Sequence, residues 1–355
     1  MDGWRAVAIL AVLWHHATMG FFDTEGAYYQ SAARMGAFGV DVFFGLSGLL
    51  ITGLLLKEER KTGAIRLRVF YTKRAFRILP VYLSFLAVVG CLGMIGSFGE
   101  LAGSVLFFRN YLPNSMQEAG TFHLWSLSIE EHFYLMWPGL LVLCGRKWGR
   151  HAAASLAIGV GFWRMLEPQL GLHLFPDVQP HFRTDLRLDA LLWGAAVAFT
   201  LDDADTRKTL REQLRFWPWV AITGVALLTI AYYSLLTSMF LAVLVPMVLA
   251  GTVLHPEWGV SRVLEWPAIA WIGRISYSLY IWQQLFLVPG WEHPEHVWTQ
   301  WPWNLAAVVA VACASYYWIE TPLVRMGARV AARMRTSERV PAPMDAALGL
   351  QAPLK

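Results

Sequence analysis

About ten stretches of the chain are continuously apolar over lengths suited to a membrane crossing, with polar positions gathered between them. They run over residues 4–22, 36–56, 76–96, 122–144, 151–166, 186–201, 216–235, 238–254, 268–288 and 303–323. A helix of roughly 20 apolar residues crosses the ~30 Å of hydrocarbon in a bilayer, so the pattern predicts an all-α integral membrane protein of about ten transmembrane helices. The fifth and sixth stretches are short, and the seventh and eighth are joined by only a few residues. A broken or re-entrant segment there is an alternative to ten clean spans, because irregular backbone at membrane depth is tolerated where protein or a polar cavity covers it.

Composition supports the same class: of 355 residues 56% are hydrophobic, 18 are Trp and only 15% are charged, against roughly 25% charged in a soluble domain. Charge adds an orientation. With both termini inside, 22 of the 29 Lys and Arg fall on one side: eight within 57–77, then 146–150, 207–215, Arg262 and the stretch from 325 onward. Arg34, Arg109, Arg164, Arg183 and Arg187 fall on the other side, and Arg5 and Arg274 lie in or at the edge of helices. Such a bias places residues 57–77 and both termini in the cytoplasm, in a multi-pass inner (cytoplasmic) membrane protein. The net charge of +4 is then cytoplasmic flank, and no nucleic-acid partner is implied. The first stretch has neither a basic leader nor a small-residue cleavage site and is expected to remain as the first helix. Cys91, Cys144 and Cys313 sit singly in apolar stretches and read as small buried hydrophobes, not as a disulfide or a metal site. The expected organisation is a membrane domain over 1–325, followed by a basic and then Pro/Ala-rich cytoplasmic tail over 326–355, disordered toward its end.

Polar groups inside the apolar stretches carry the candidate chemistry, because ionisable side chains at membrane depth are costly and usually mark a pathway or a site. Arg5 and His16 lie in the first stretch; eleven residues are about three helical turns, which puts both on one face roughly 16 Å apart. Arg74 and Arg77, at i and i+3, set two guanidinium groups side by side at the mouth of the third helix, a pair able to grip phosphates and equally able to anchor a cytoplasmic helix end. In the stretch His123 to Pro138, Glu130 and Glu131 interrupt an otherwise spanning helix, with Ser126 and Glu130 on one face. Either a polar cavity or pairing with an Arg of a neighbouring helix accounts for them. Asp41 opens the second helix in a run with Gly45, Ser47 and Gly48; the small residues read as packing devices, and Asp41 as a group that orients a His or an Arg. Arg187 and Asp189 read as part of an internal ion pair. His293 and His296 have a Pro between them and no helix to present them, so no metal is inferred, and Trp291 and Trp298 suit an interfacial belt as well as a sugar platform.

Taken in order, these segments resemble the acyltransferase-3 family, integral membrane enzymes that O-acylate bacterial surface polysaccharides, lipopolysaccharide and some antibiotics. The resemblance rests on Asp2-Gly3-Trp4-Arg5 with His16 eleven residues on, Gly39-Val40-Asp41 through Ser47-Gly48, Arg74 with Arg77, and Trp125-Ser126-Leu127 leading to Glu130. It continues through Arg187-Leu188-Asp189-Ala190-Leu191, Ile275-Ser276-Tyr277-Ser278-Leu279-Tyr280-Ile281-Trp282 and Ile319-Glu320-Thr321-Pro322, about 320 residues in all. It implies transfer of an acyl group, commonly acetyl from cytoplasmic acetyl-CoA or another acyl-CoA, to a hydroxyl of a polysaccharide, lipopolysaccharide or other acceptor at the outer face. In that reading Arg74 and Arg77 hold the donor's phosphates, Arg5 lies along the pantetheine path, and neutral His16 acts as general base on the acceptor hydroxyl. Glu130, or failing it Asp41, orients the imidazole ring.

Two departures qualify the likeness. Many relatives carry a His after the Leu-Tyr-Ile-Trp run where this chain has Gln283-Gln284, which hydrogen-bonds without shuttling a proton. Many also carry a C-terminal esterase-like domain, and a standalone enzyme is expected here. The main alternative is a transporter or flippase for a glycan or lipid intermediate, since buried Arg, His and Glu also line transport pathways; acylation of a small molecule such as a macrolide is another.

Overall fold

The computed structural model describes residues 1–18, 26–113, 116, 120–172, 174–287 and 300–337. The His293/His296 loop and the tail beyond 337 lie outside the described residues. Among these residues every regular element is helical. The first half contains α1 (Asp2–Thr18), α2 (Ala27–Thr62), α3 (Leu67–Cys91), α4 (Phe98–Val105), α5 (Leu124–Gln169), α6 (Thr184–Arg187) and α7 (Asp189–Asp202). The second contains α8 (Ala204–Gln213), α9 (Phe216–Ala231), α10 (Ser238–Leu254), α11 (Gly259–Leu264), α12 (Pro267–Trp282), α13 (Gln284–Leu287), α14 (Trp303–Ser315) and α15 (Thr321–Ser337), the last two joined by a π-helical turn, Tyr316–Glu320.

Local chemistry sets several of these boundaries. α2 stops at Gly63, whose φ of 77° is left-handed and whose N–H bonds back to the carbonyl of Glu59, the usual αL helix end. The apolar stretches 122–144 and 151–166 run together as α5 but are broken at Gly145, with φ 64° and ψ 171°, a conformation open chiefly to glycine. The break therefore falls where the sequence places its basic connection. α4 is not foreseen in the apolar pattern; Ser97 starts it by accepting from the Glu100 N–H at 3.1 Å, a side-chain N-cap.

By length and composition three described helices are able to cross a membrane, Ala27–Thr62, Leu67–Cys91 and the continuous Trp303–Arg335; a fourth is added if the pair α8 and α9, bent by 78°, counts as one span. Of the other apolar stretches, 268–288 is divided at Gln283 into α12 and α13, and 4–22, 186–201 and 238–254 are built as the shorter helices α1, α7 and α10.

α2 is the central strut: it packs on α1 and α7, while α1 also meets α12, α5 meets α7, α10 meets α7, and α3 meets α15. These crossings are close because glycine leaves room for a facing backbone, the usual device between helices in an apolar setting. A Cβ placed on Gly48 of α2 would lie 1.8 Å from the Leu191 carbonyl oxygen of α7, and one on Gly273 of α12 would lie 1.8 Å from that of Asp2 on α1.

The bundle also encloses charges, and each of the following is compensated. Arg187, Asp41, Arg164 and Asp189 are buried, each exposing 2% or less of its surface. Arg187 is ion-paired with Asp41, and both hydrogen-bond Tyr233: Arg187 donates to its hydroxyl at 2.9 Å, and the hydroxyl donates to Asp41 at 3.1 Å. Arg164 pairs with Asp189 at 2.6 Å and donates to the Ser238 hydroxyl at 3.1 Å. The expected ion pairing of Arg187 and Asp189 is thus crossed, each finding its counter-ion on another helix. A second buried set joins Arg109 to Thr121 at 2.9 Å and to Glu100 at 3.8 Å.

Two stability predictions follow from these contacts. Gly48→Ala should lower the unfolding midpoint of the detergent-solubilised protein, by the equivalent of about 1–3 kcal/mol from overpacking; Gly53→Ala on the same helix, where no atom lies within 4 Å of the new Cβ, should leave it nearly unchanged. Asp41→Ala strands the buried Arg187 guanidinium and should cost on the order of 3–5 kcal/mol, whereas the double change Asp41→Leu/Arg187→Met should recover most of that loss. Equal thermal stability of Asp41→Ala and wild type would contradict the ion-pair account.

Candidate active site

One pocket of about 110 Å³ gathers Arg5 from α1, Ser47 from α2, Arg74 and Arg77 from α3, Ser126, Glu130 and Tyr134 from α5, and Ser276, Tyr277 and Tyr280 from α12. Four of the six residues singled out from sequence therefore meet: Arg5, Arg74, Arg77 and Glu130. They arrive from three helices with a separation of 125 residues between Arg5 and Glu130, brought together because α2 bridges α1 and α7 and α5 packs behind them.

Glu130 is held from two sides. The Ser47 hydroxyl donates to one oxygen at 3.1 Å and the Tyr134 hydroxyl to the other at 2.8 Å. Arg74 lies flat over the Tyr134 ring, 3.5 Å from its centroid, in cation–π contact; its nitrogens are 4.0 Å from Glu130 and 3.9 Å from Glu131. Both carboxylates of the adjacent pair thus face one guanidinium, whose buried Nε makes no hydrogen bond. Arg77 is ion-paired with Glu320, which sits in the π turn and also accepts from the Ser278 hydroxyl at 2.8 Å. Tyr277, beside Arg77, donates to the Ile78 carbonyl at 2.8 Å. Among the described residues the ion-pair partner of Arg5 is its own-helix neighbour Asp2, at 3.2 Å, with both side chains about a third exposed.

His16 and Asp41 stand apart from this pocket. Asp41 is engaged by Arg187 and Tyr233, so the group it orients is an Arg. Glu130 makes its hydrogen bonds to Ser47 and Tyr134, and neither carboxylate is hydrogen-bonded to the His16 ring. His16 lies three turns along α1 from Arg5, beside Gln283 and His123. His123 is buried, and its Nε2 donates to the Ile281 carbonyl at 3.1 Å, which leaves Nδ1 as the bare nitrogen of the neutral ring. Nδ1 of His16, Nδ1 of His123, Nε1 of Trp282 and both amide atoms of Gln283 are buried without a hydrogen-bond partner. Orphaned polar atoms cost roughly 1–3 kcal/mol each, so a cluster of them suits a place meant for polar occupants. The two ends communicate through Tyr280, whose hydroxyl bonds the Ser126 side chain in the pocket and donates to the His123 carbonyl at 2.7 Å.

Chemically, the arrangement offers a cationic pocket at one end of α1 and an imidazole with neutral hydrogen-bonding groups at the other. Ser47, Tyr134, Tyr280, His123 and Glu320 were not assigned site roles from sequence. The spacing of Tyr134 four residues after Glu130 is a helical-face signal that was legible; the meeting of Arg77 with Glu320, 243 residues apart, has no local signal. Among the described residues no three His, Cys, Asp or Glu gather as a metal site.

Comparison with known proteins bears on the family of the chain. The chain is 28% identical over 369 residues to a Staphylococcus aureus protein whose name proposes an O-acetyltransferase, covering 92% of this chain and 57% of the relative. It is 28% identical over 361 residues to the peptidoglycan O-acetyltransferase OatA of Listeria monocytogenes, covering 92% and 56%. It is 27% identical over 366 residues to a Bacillus subtilis protein whose name proposes a peptidoglycan O-acetyltransferase, covering 93% and 55%. The chain thus spans little more than half the length of these curated relatives. No solved structure matches it. The profile of the acyltransferase domain matches residues 1–320, and the chain belongs to the acyltransferase-3 family.

Proposed function

We propose that residues 1–325 form a membrane O-acyltransferase that moves an acyl group, acetyl in the first instance, from acyl-CoA in the cytoplasm to a hydroxyl of an extracytoplasmic glycan. The observation that carries the reading is the two-ended layout of α1. Arg5 shares a pocket with Arg74, Arg77 and Glu130 at one end, and His16 stands among unpartnered polar groups at the other. The positive-inside bias of residues 57–77 assigns the arginine end to the cytoplasm, in the inner membrane, with both termini on that side. The names of the Listeria and Bacillus relatives support a cell-wall glycan as acceptor class.

In this mechanism the donor enters at the arginine end. Arg74 and Arg77 meet its anionic portion, and Arg5 lies along the arm that carries the thioester toward His16. Neutral His16 takes the proton of the acceptor hydroxyl as the oxygen attacks the thioester carbonyl; the acyl–oxygen bond forms, the acyl–sulfur bond breaks, and CoA leaves as the thiol once it regains a proton. Glu130, fixed by Ser47 and Tyr134, holds Arg74 over the Tyr134 ring; Asp41 keeps α2 registered through Arg187.

The test is transfer of radiolabelled acetyl groups by the purified protein in nanodiscs. His16→Ala should lower turnover by about 10²–10⁴-fold while CoA still binds. Arg74→Lys/Arg77→Lys, which keeps charge but loses the planar fork, should weaken CoA binding with the fold retained. If wild type neither binds nor consumes any acyl-CoA, the donor assignment fails and the transporter reading takes its place.

A further inference from the structure

A second groove, of about 490 Å³, opens beside the arginine pocket and shares Arg74 and Arg77 with it. Its cations include Lys57 and Lys61, one turn apart on α2, and Lys73 on α3. All three lysines are exposed. The charge balance around this groove differs from that of the arginine pocket. Arg74 faces Glu130 and Glu131, and Arg77 is paired with Glu320. The groove's own carboxylate, Glu58, is taken by Arg335 at 2.7 Å. Among the described residues no carboxylate pairs with Lys57, Lys61 or Lys73.

An incoming phosphate would compete with carboxylates for the arginines but not for the lysines, and unpaired ammonium groups make strong charge-assisted contacts to phosphate oxygens. We infer that Lys57, Lys61 and Lys73 extend the phosphate recognition of Arg74 and Arg77, seating the outer, phosphate-bearing nucleotide end of the thioester donor while the two arginines hold its anionic part at the mouth of the arginine pocket. Phe70 and Leu55 line the same groove and give the base an apolar wall. The inference rests on the acyl-CoA reading above and adds the three lysines to Arg74 and Arg77 in recognising the donor's phosphates. The chemistry recognised is clustered phosphate, which a lipid headgroup also presents.

The experiment measures equilibrium binding of CoA, 3′-dephospho-CoA and S-acetylpantetheine to the full chain in nanodiscs, with and without an anionic phospholipid. The triple change Lys57→Ala/Lys61→Ala/Lys73→Ala should weaken CoA binding at least about tenfold, weaken 3′-dephospho-CoA less, and leave S-acetylpantetheine unaffected; the triple Lys→Arg variant should bind CoA like wild type. These differences should persist in neutral lipid. Equal CoA affinity in wild type and the triple Ala variant overturns the inference and leaves the acyltransferase reading standing. A defect confined to discs containing anionic lipid assigns the lysines to lipid headgroups and overturns it as well. Absence of CoA binding by wild type removes the acyltransferase reading itself.

Discussion

A guanidinium enclosed by apolar helices has to meet a carboxylate or a hydrogen-bonding oxygen, and that requirement organises this chain. An unpaired buried charge costs several kcal/mol, so each enclosed arginine ties together helices that hydrophobic contact alone would leave free to slide. Arg187 fixes α2 through Asp41, Arg164 joins α5 to α7 through Asp189, and Arg77 ties α3 to the π turn through Glu320. Glycine at the crossings of α1, α2, α7 and α12 lets the backbones approach closely enough for these pairs to form.

In the site this compensation is looser for two of the arginines. Among the described residues Arg5 pairs with Asp2 of its own helix, and Arg74 stands near 4 Å from each of two carboxylates. Positive charge of that kind is available to an anionic ligand at less cost than a tightly paired guanidinium would be. At the far end of α1 the imbalance is of neutral groups: imidazole, indole and amide atoms lack partners there. One helix therefore links a region short of negative charge to a region short of hydrogen-bond partners, which is the division of labour that a charged donor and a hydroxyl acceptor call for.

Much of this was legible along the sequence, since helical geometry is local. The eleven-residue interval between Arg5 and His16 put both on one face of α1; the i, i+3 spacing paired Arg74 with Arg77; and the adjacent Glu130 and Glu131 in an apolar run pointed to either a polar cavity or an arginine on a neighbouring helix. What local periodicity does not encode is the identity of distant partners. Whether Asp41 would meet a His or an Arg depended on where Arg187, at the end of α6, comes to lie beside α2, and Glu130 turned toward Ser47 and Tyr134 because α2 and α5 converge there. The boundary at Gly145 was readable from the basic connection that follows it. The short α4 was not, as about two capped turns leave no apolar stretch long enough to register. Hydropathy also merges what turns divide, so the last two apolar stretches end as α12 with α13 and as α14 with α15.

In the proposed mechanism donor and acceptor approach α1 from opposite sides of the membrane. Its most direct test uses sealed proteoliposomes in which the protein has one orientation, with acetyl-CoA supplied only on the face bearing residues 57–77 and a glycan acceptor only on the other. Acetylated glycan forming in the compartment opposite the donor is the predicted result. Product that forms only when donor and acceptor share one compartment would contradict the two-ended site.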